Sequence, residues 1–171
     1  MRFNALLAAC LLFTAPALCR AAEPPAHAAF EQLKTLVGHW RATESGRDTL
    51  VEFKLMAGGS ALVEIWTMSP TRQSMTVYTM DGTHLLATHY CPQGNAPRLA
   101  FTETDSTGAH HFLFMDGANL QNPEASHAHA FWVRSEPDGR LTREETYVAN
   151  GTEYDPERDK ASTVVFERLW R

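Results

Sequence analysis

The sequence predicts an all-β protein, an up-and-down antiparallel β-barrel of about ten strands with a short N-terminal helix. Two observations carry this prediction. Dipeptides that suit tight turns recur along the chain, and they are Gly58-Gly59, Asp81-Gly82, Asp116-Gly117, Asp138-Gly139 and Asn150-Gly151. Most segments between them are rich in Val, Thr, Phe, Tyr and Trp, which pack well on a pleated surface. Because a long open meander would leave two unpaired edges, we expect it to close into a barrel.

The first part of the chain, residues 1–21, has the features of a secretory signal peptide. Arg2 supplies a basic start, a mostly apolar stretch follows, and small side chains precede cleavage points after Cys19 or Ala21. We therefore expect an exported protein, either periplasmic or secreted. A short lipoprotein-like box ends at Cys10, but only about five apolar residues precede it, so lipid anchoring there is not expected.

The mature chain is expected to hold a flexible N-terminal segment, 22–29, and one barrel domain, 30–171. The spacing of Phe30, Leu33 and Leu36 places apolar side chains on one side of a short helix, which would cap one end of the barrel. Strands are predicted near residues 38–45, 49–57, 60–68, 73–80, 83–91, 97–105, 109–115, 128–136, 140–149 and 161–170.

Composition excludes several classes of protein. The formal net charge is -5 and the basic residues are scattered, which argues against a nucleic-acid surface. No later apolar run approaches the roughly 18 residues of a spanning helix, so no transmembrane segment is expected in the mature chain. An outer-membrane barrel is disfavoured because Glu52 and Lys54 alternate with Val51 and Phe53, so that one face of the strand must meet water.

Two pairs of potential metal ligands stand out. His89 and Cys91 are two residues apart on one predicted strand, and His127 and His129 are two apart on another, so each pair shares a face. If both faces point inward, four ligands of the kinds that zinc prefers could meet. The alternative is that these are hydrogen-bonded interior or rim side chains, and no specific zinc or haem motif is present to decide between the two.

Polar and aromatic residues on the predicted strands form a second candidate site. Glu64 and Glu144 could each be an interior carboxylate or an exposed surface side chain, and Arg98 is an available partner for a buried charge. The aromatic residues could line a ligand pocket or could be ordinary core. The candidate ligand-binding residues are Glu64, Trp66, Tyr78, His89, Arg98, Phe131 and Glu144, with Phe101 and Phe112 as further lining.

Counting residues outward from an assumed two-residue turn gives the expected cross-strand partners of two of these residues. A two-residue turn at Asp81-Gly82 would set His89 opposite Ser74. The same turn at Asp138-Gly139 would set Glu144 opposite Val133, which places Glu144 on the face that carries Val133.

Several motifs resemble those of known barrel families. The segment Leu36-Val37-Gly38-His39-Trp40 resembles the Gly-x-Trp entry to the first strand of lipocalins and nitrobindin-like barrels. The motifs Ala57-Gly58-Gly59-Ser60-Ala61-Leu62-Val63-Glu64, Thr88-His89-Tyr90-Cys91 and Gly94-Asn95-Ala96-Pro97-Arg98 resemble a group of uncharacterised bacterial lipocalin-like (calycin) proteins, from about Phe30 to Arg171. His127-Ala128-His129 and Glu144 also match that group.

The resemblance implies a calycin barrel and brings no established activity. Nitrobindins bind haem through a histidine near the end of the chain, but residues 164–170 contain none, so haem would need another histidine here.

Three functions follow as hypotheses. The first is an exported binding barrel for a small, largely apolar molecule, with a central cavity. The second is a metal- or haem-dependent enzyme that uses interior His and Cys, although no nucleophile elbow, phosphate loop or zinc-protease signature is present. The third is a structural or interaction module without a ligand. The sequence leaves open whether the protein is an enzyme.

Overall fold

The structure is a computed structural model that describes residues 23–122, 125–149 and 151–170. The expected signal peptide and Cys10 fall in residues 1–22, outside this part of the chain. Within the described residues, no helix is long and apolar enough to cross a membrane.

Ten antiparallel strands form a closed barrel in which each strand pairs with its neighbours along the chain, and the first strand pairs with the last. The predicted fold class is therefore confirmed, and every predicted strand is present within a few residues of its expected bounds. The strands are β1 Gly38–Glu44, β2 Arg47–Met56, β3 Ala61–Ser69, β4 Arg72–Asp81, β5 His84–Tyr90, β6 Ala96–Thr104, β7 His110–Ala118, β8 His127–Ser135, β9 Leu141–Val148 and β10 Ser162–Trp170.

The helix α1, Pro25–Lys34, lies against β4, β5 and β6 at the end of the barrel where β4 and β6 finish. It begins inside the stretch expected to be flexible, so the expectation for 22–29 is wrong over most of that stretch. The physical reason is that Ala26 and Ala29 extend the apolar face formed by Phe30 and Leu33, and all four are buried in the core. Pro25 suits the first turn, where no backbone donor is needed.

The hairpin between β4 and β5 differs from its expected form by two residues. Asp81 pairs with His84, so the loop is Gly82-Thr83. His89 consequently lies opposite Thr76 and not opposite Ser74. A shift of two residues leaves each side chain on its original face, and His89 still points into the barrel.

The hairpin between β8 and β9 differs from its expected form by one residue, and this smaller difference has a larger effect on the side chains of β9. Pro137, Asp138 and Gly139 form a three-residue loop, closed by hydrogen bonds from Glu136 N to Arg140 O (2.8 Å) and from Gly139 N to Glu136 O (3.0 Å). Gly139 has a φ of 86°, as the left-handed position of such a loop requires.

This loop exchanges the two faces of β9. Val133 pairs with Arg143, and Glu144 pairs with Trp132. Because a slip of one residue turns every side chain to the other face, Arg143 and Glu145 point into the barrel and Glu144 points out. The inward face of β9 therefore carries Arg143 and Glu145 in place of the expected Glu144.

Candidate functional site

A buried polar cluster lies in the middle of the barrel. The Glu64 carboxylate accepts hydrogen bonds from Trp66 Nε1 (2.6 Å), from the Tyr78 hydroxyl (2.5 Å) and from Arg143 Nη1 (3.1 Å). Arg143 Nη1 also donates to the Tyr78 oxygen at 2.9 Å. Because β3, β4 and β9 each contribute a residue, the cluster ties together strands from both halves of the chain.

Aromatic rings surround the charged groups of this cluster. The Arg143 guanidinium lies 3.9 Å from the centre of the Phe131 ring, and Phe131 stacks on Phe112 at 4.6 Å. Burial alone would lower the pKa of Arg143, but the opposing charge of Glu64 reverses this effect and raises the pKa. Burial also raises the pKa of Tyr78, so its hydroxyl stays protonated and keeps donating to Glu64.

A cavity of about 310 Å³ lies at the barrel mouth opposite α1. Fully buried side chains, among them Trp40, Phe53, Tyr78 and Phe112, occupy the core of the barrel. A second cavity of about 310 Å³ lies beside α1, where Leu33, Leu36 and His110 contribute to its lining. The cavity at the mouth opposite α1 is lined by Met68, Arg72, Ser74, His89, Cys91, Pro92, Gln93, Ser126, Glu145 and Tyr147.

His89 is held rigidly on the wall of this cavity. Its Nδ1 is 3.0 Å from Thr76 Oγ1, and its Nε2 is 3.1 Å from the Tyr147 hydroxyl. Burial, with help from the positive charge of Arg143, lowers the pKa of His89 to about 4. The ring is therefore neutral at pH 7, and both of its nitrogens already have partners.

Glu145 and Tyr147 complete the inner wall. Burial raises the pKa of Glu145, while the charge of Arg143 opposes this effect in part. Burial and the nearby Glu145 charge raise the pKa of Tyr147, whose hydroxyl also contacts the Cys91 thiol. No other residue in the described part of the chain forms a hydrogen bond or an ion pair with the Glu145 carboxylate.

The structure brings together most of the predicted ligand-binding residues but not all of them. Glu64, Trp66, Tyr78 and Phe131 meet in the polar cluster, and His89 lines the cavity next to it.

Two predicted residues lie elsewhere. Arg98 is 46 % exposed and pairs with Asp116 across neighbouring strands, so the expected Glu64–Arg98 pair does not form. Glu144 is on the outer surface, where it accepts hydrogen bonds from Trp132 Nε1 (2.9 Å) and Thr163 Oγ1 (2.7 Å). The expectation of an interior Glu144 is wrong because the β8–β9 hairpin has a three-residue loop.

The four expected zinc ligands do not form one site. His89 and Cys91 line the cavity, but His127 and His129 do not, and the described residues contain no group of three or more side chains able to hold a metal ion. A bulge in β8 between Ala128 and Ala130 displaces the second pair from regular alternation.

The histidine pair of β8 instead packs against aromatic rings. His127 lies 4.1 Å from the Phe114 ring, and His129 stacks on Tyr154 at 4.2 Å. His127 Nε2 and His129 Nδ1 are buried with no hydrogen-bond partner among the described atoms. His129 therefore packs beneath Tyr154, whereas His127 packs against Phe114 of β7.

Haem does not fit the site. An axial ligand needs a ring nitrogen that is free to bind iron, whereas Thr76 and Tyr147 occupy both nitrogens of His89. The space behind His89 is filled by Glu64 and Arg143.

Sequence reasoning missed Thr76, Arg143, Glu145 and Tyr147. One signal could have identified the last three. Pro137-Asp138-Gly139 has proline at the second position of a type I turn and glycine at the fourth, which favours a three-residue loop over a two-residue one. That loop gives the correct register of β9.

No model of a known protein family matches this chain, and no curated protein matches it either. Fold and site together define a closed ten-stranded antiparallel barrel with a polar interior cluster and a cavity at one mouth.

Proposed function

We propose that this protein is an exported binding barrel that holds a small organic molecule in the cavity at its mouth. The observation that carries the proposal is the cavity itself, about 310 Å³ in volume, where polar groups, His89 and Glu145 among them, lie beside apolar side chains such as Met68. Ligand pockets typically measure about 300–1,000 Å³ and combine apolar lining with a small number of placed polar groups. The volume indicates a ligand near the small end of this range.

The His89 ring in the cavity wall and the nearby Arg143 guanidinium are held in place before any ligand binds. Thr76 and Tyr147 fix the His89 ring from two sides. Arg143 is fixed by Glu64 and Tyr78, and its neighbour on the same strand face is Glu145. A site that is already ordered loses less conformational entropy on binding, which favours affinity for a small molecule.

Export is part of the proposal and rests on the basic, apolar and small-residue regions of residues 1–21. N-terminal sequencing of the protein purified from an envelope fraction tests it, because a mature chain must begin after the signal. Detection of Met1 in that material would contradict export.

The binding proposal is tested by filling the cavity. Ser74 is buried, faces inward and lines the cavity, so Ser74→Trp should occupy the space that a ligand needs. The matched control is Gln73→Trp on the same strand, whose side chain is exposed. Native mass spectrometry of the protein from its own envelope fraction should show a retained small molecule in the wild type and the control, and none in Ser74→Trp.

NMR spectra of the labelled protein with a small-fragment library provide an independent measurement. Fragments should shift the amide signals of His89, Glu145 and Tyr147 in the control but not in Ser74→Trp. Unchanged fragment binding in a folded Ser74→Trp protein would overturn the proposal, and circular dichroism establishes that the variant is folded.

A further inference from the structure

We infer that the molecule bound at the barrel mouth carries a protonated amine, and that the carboxylate of Glu145 binds it. This inference rests on the proposed function and narrows it to one class of ligand, organic ammonium ions.

Glu64 and Arg143 are charged side chains inside the barrel, and Glu145 lies at the cavity wall next to them. Arg143 Nη1 lies 3.1 Å from Glu64 Oε2, and the two side chains are 1 % and 0 % exposed, so they form a complete internal ion pair. Glu145 lies two residues further along β9 on the same inward face. It has no hydrogen bond or ion pair with any other described residue. Among the described residues of the polar cluster and the adjoining cavity wall, the carboxylates of Glu64 and the half-buried Glu145 therefore face a single buried guanidinium, that of Arg143.

A carboxylate in such a place favours a cation as its partner. Taking a charge out of water is costly unless a group of opposite charge or a hydrogen-bond donor meets it. Burial raises the pKa of Glu145, and the positive charge of Arg143 offsets this effect only in part. An ammonium group in the cavity would supply both the charge and the donors. A carboxylate ligand would instead face Glu145 across a small, partly desolvated space.

The other groups around the cavity are compatible with a cation. His89 is neutral at pH 7 and does not repel an ammonium group. The Tyr147 hydroxyl remains protonated and adds no charge, while its ring offers an aromatic surface. Arg72 is the only cationic residue in the lining, and it is an exposed side chain at the first position of β4 that forms no ion pair with Glu145. Arg72 therefore belongs to the outer rim.

Three compounds of similar shape and different charge test the inference. They are 2-phenylethylamine, 2-phenylethanol and phenylacetate, titrated into the full mature protein at pH 7.5 and followed by NMR at His89 and Tyr147. The amine should bind about tenfold more tightly than the alcohol or better, because a hydrogen bond to a charged group exceeds one between neutral groups. Phenylacetate should bind more weakly than the alcohol.

Substitution of each of two neighbouring glutamates tests which side chain causes the preference for the amine. Glu145→Gln should remove the preference for the amine and leave binding of the alcohol nearly unchanged. Glu144→Gln is the matched control, because Glu144 lies on the outer surface of the same strand, and it should keep the preference. Thermal unfolding of both variants shows whether the barrel is intact.

The outcomes separate this inference from the proposed function. Equal binding of the amine and the alcohol, a preference for phenylacetate, or a preference that survives in Glu145→Gln would overturn the ammonium site while leaving a binding barrel. A lack of response from all three compounds at the cavity would overturn both.

Discussion

Arg143 and Glu64 form an ion pair in the middle of the barrel, with Nη1 3.1 Å from Oε2, although 79 positions separate them in the chain. Each strand on its own would present an unpaired charge to the core. Closure of the barrel brings β3 and β9 together and pairs the two opposite charges, although Arg143 Nε is buried with no hydrogen-bond partner among the described atoms. The pair therefore gives the most direct test of the register of β9.

Replacement of Arg143 by Met should be strongly destabilising. It leaves the Glu64 carboxylate buried without its cation, and breaking a buried pair from one side costs about 3–5 kcal/mol. The double variant Glu64→Gln with Arg143→Met should recover much of that loss, because no unpaired charge remains. Urea unfolding curves of the wild type, the two single variants Arg143→Met and Glu64→Gln, and the double variant measure these effects. Additive effects of the two substitutions would show that the side chains do not interact.

Acid should destabilise the protein partly through His89. The unfolded chain binds a proton at this residue near pH 6.5, whereas the folded protein does so only at about pH 4. Between these values the unfolded state binds more protons, so stability falls as the pH is lowered from about 6.5 towards about 4. The full effect is on the order of 3 kcal/mol.

The variant His89→Gln should therefore lose stability less steeply than the wild type over this interval. Urea unfolding at pH 7, 5.5 and 4.5 measures the slope. His84→Gln is the control, since His84 lies on the same strand and is exposed, and its slope should match that of the wild type. Identical slopes for His89→Gln and the wild type would mean that the ring is not kept neutral by burial.

Helix α1, which covers the end of the barrel opposite the cavity, should contribute measurably to stability. Leu33 is 1 % exposed and belongs to the core, so Leu33→Ala removes buried methyl groups and should cost about 2–5 kcal/mol. Gln32→Ala, on the exposed side of the same helix, should change the free energy of unfolding by less than about 0.5 kcal/mol. Equal stabilities of the two variants would show that α1 does not pack on the barrel.

The loop that sets the register of β9 depends on one glycine. Gly139 has a φ of 86°, and an added methyl group would meet no neighbouring atom within 4 Å. Gly139→Ala should therefore cost about 1–2 kcal/mol through backbone strain alone, without a steric clash. Thermal unfolding measures this loss, with Ser106→Ala, at an exposed turn position that lacks a positive φ, as the control. A Gly139→Ala protein as stable as the wild type would argue for a different loop conformation.

The direction in which a side chain points could be predicted where it depends only on the alternation of residues along the strands of one hairpin. Glu64, Trp66 and Tyr78 occupy alternate positions on β3 and β4, and the structure places all three inside the barrel. His89 also faces inward as expected, even though its partner is Thr76, because a shift of two residues preserves the face. The same reasoning gave the wrong face for Glu144, because the register of its hairpin differs from the expected register by one residue.

The amino-acid sequence by itself determined the number of strands, their order and the closed antiparallel topology. These features follow from local signals, namely turn residues and the alternation of side chains along each strand. Only the tertiary structure decided that Arg143, and not Arg98, neutralises Glu64, and that Glu145 faces the cavity. The physical reason is that a single residue in one loop sets which face of a strand is buried, and the partner of a buried charge depends on where distant strands meet when the barrel closes.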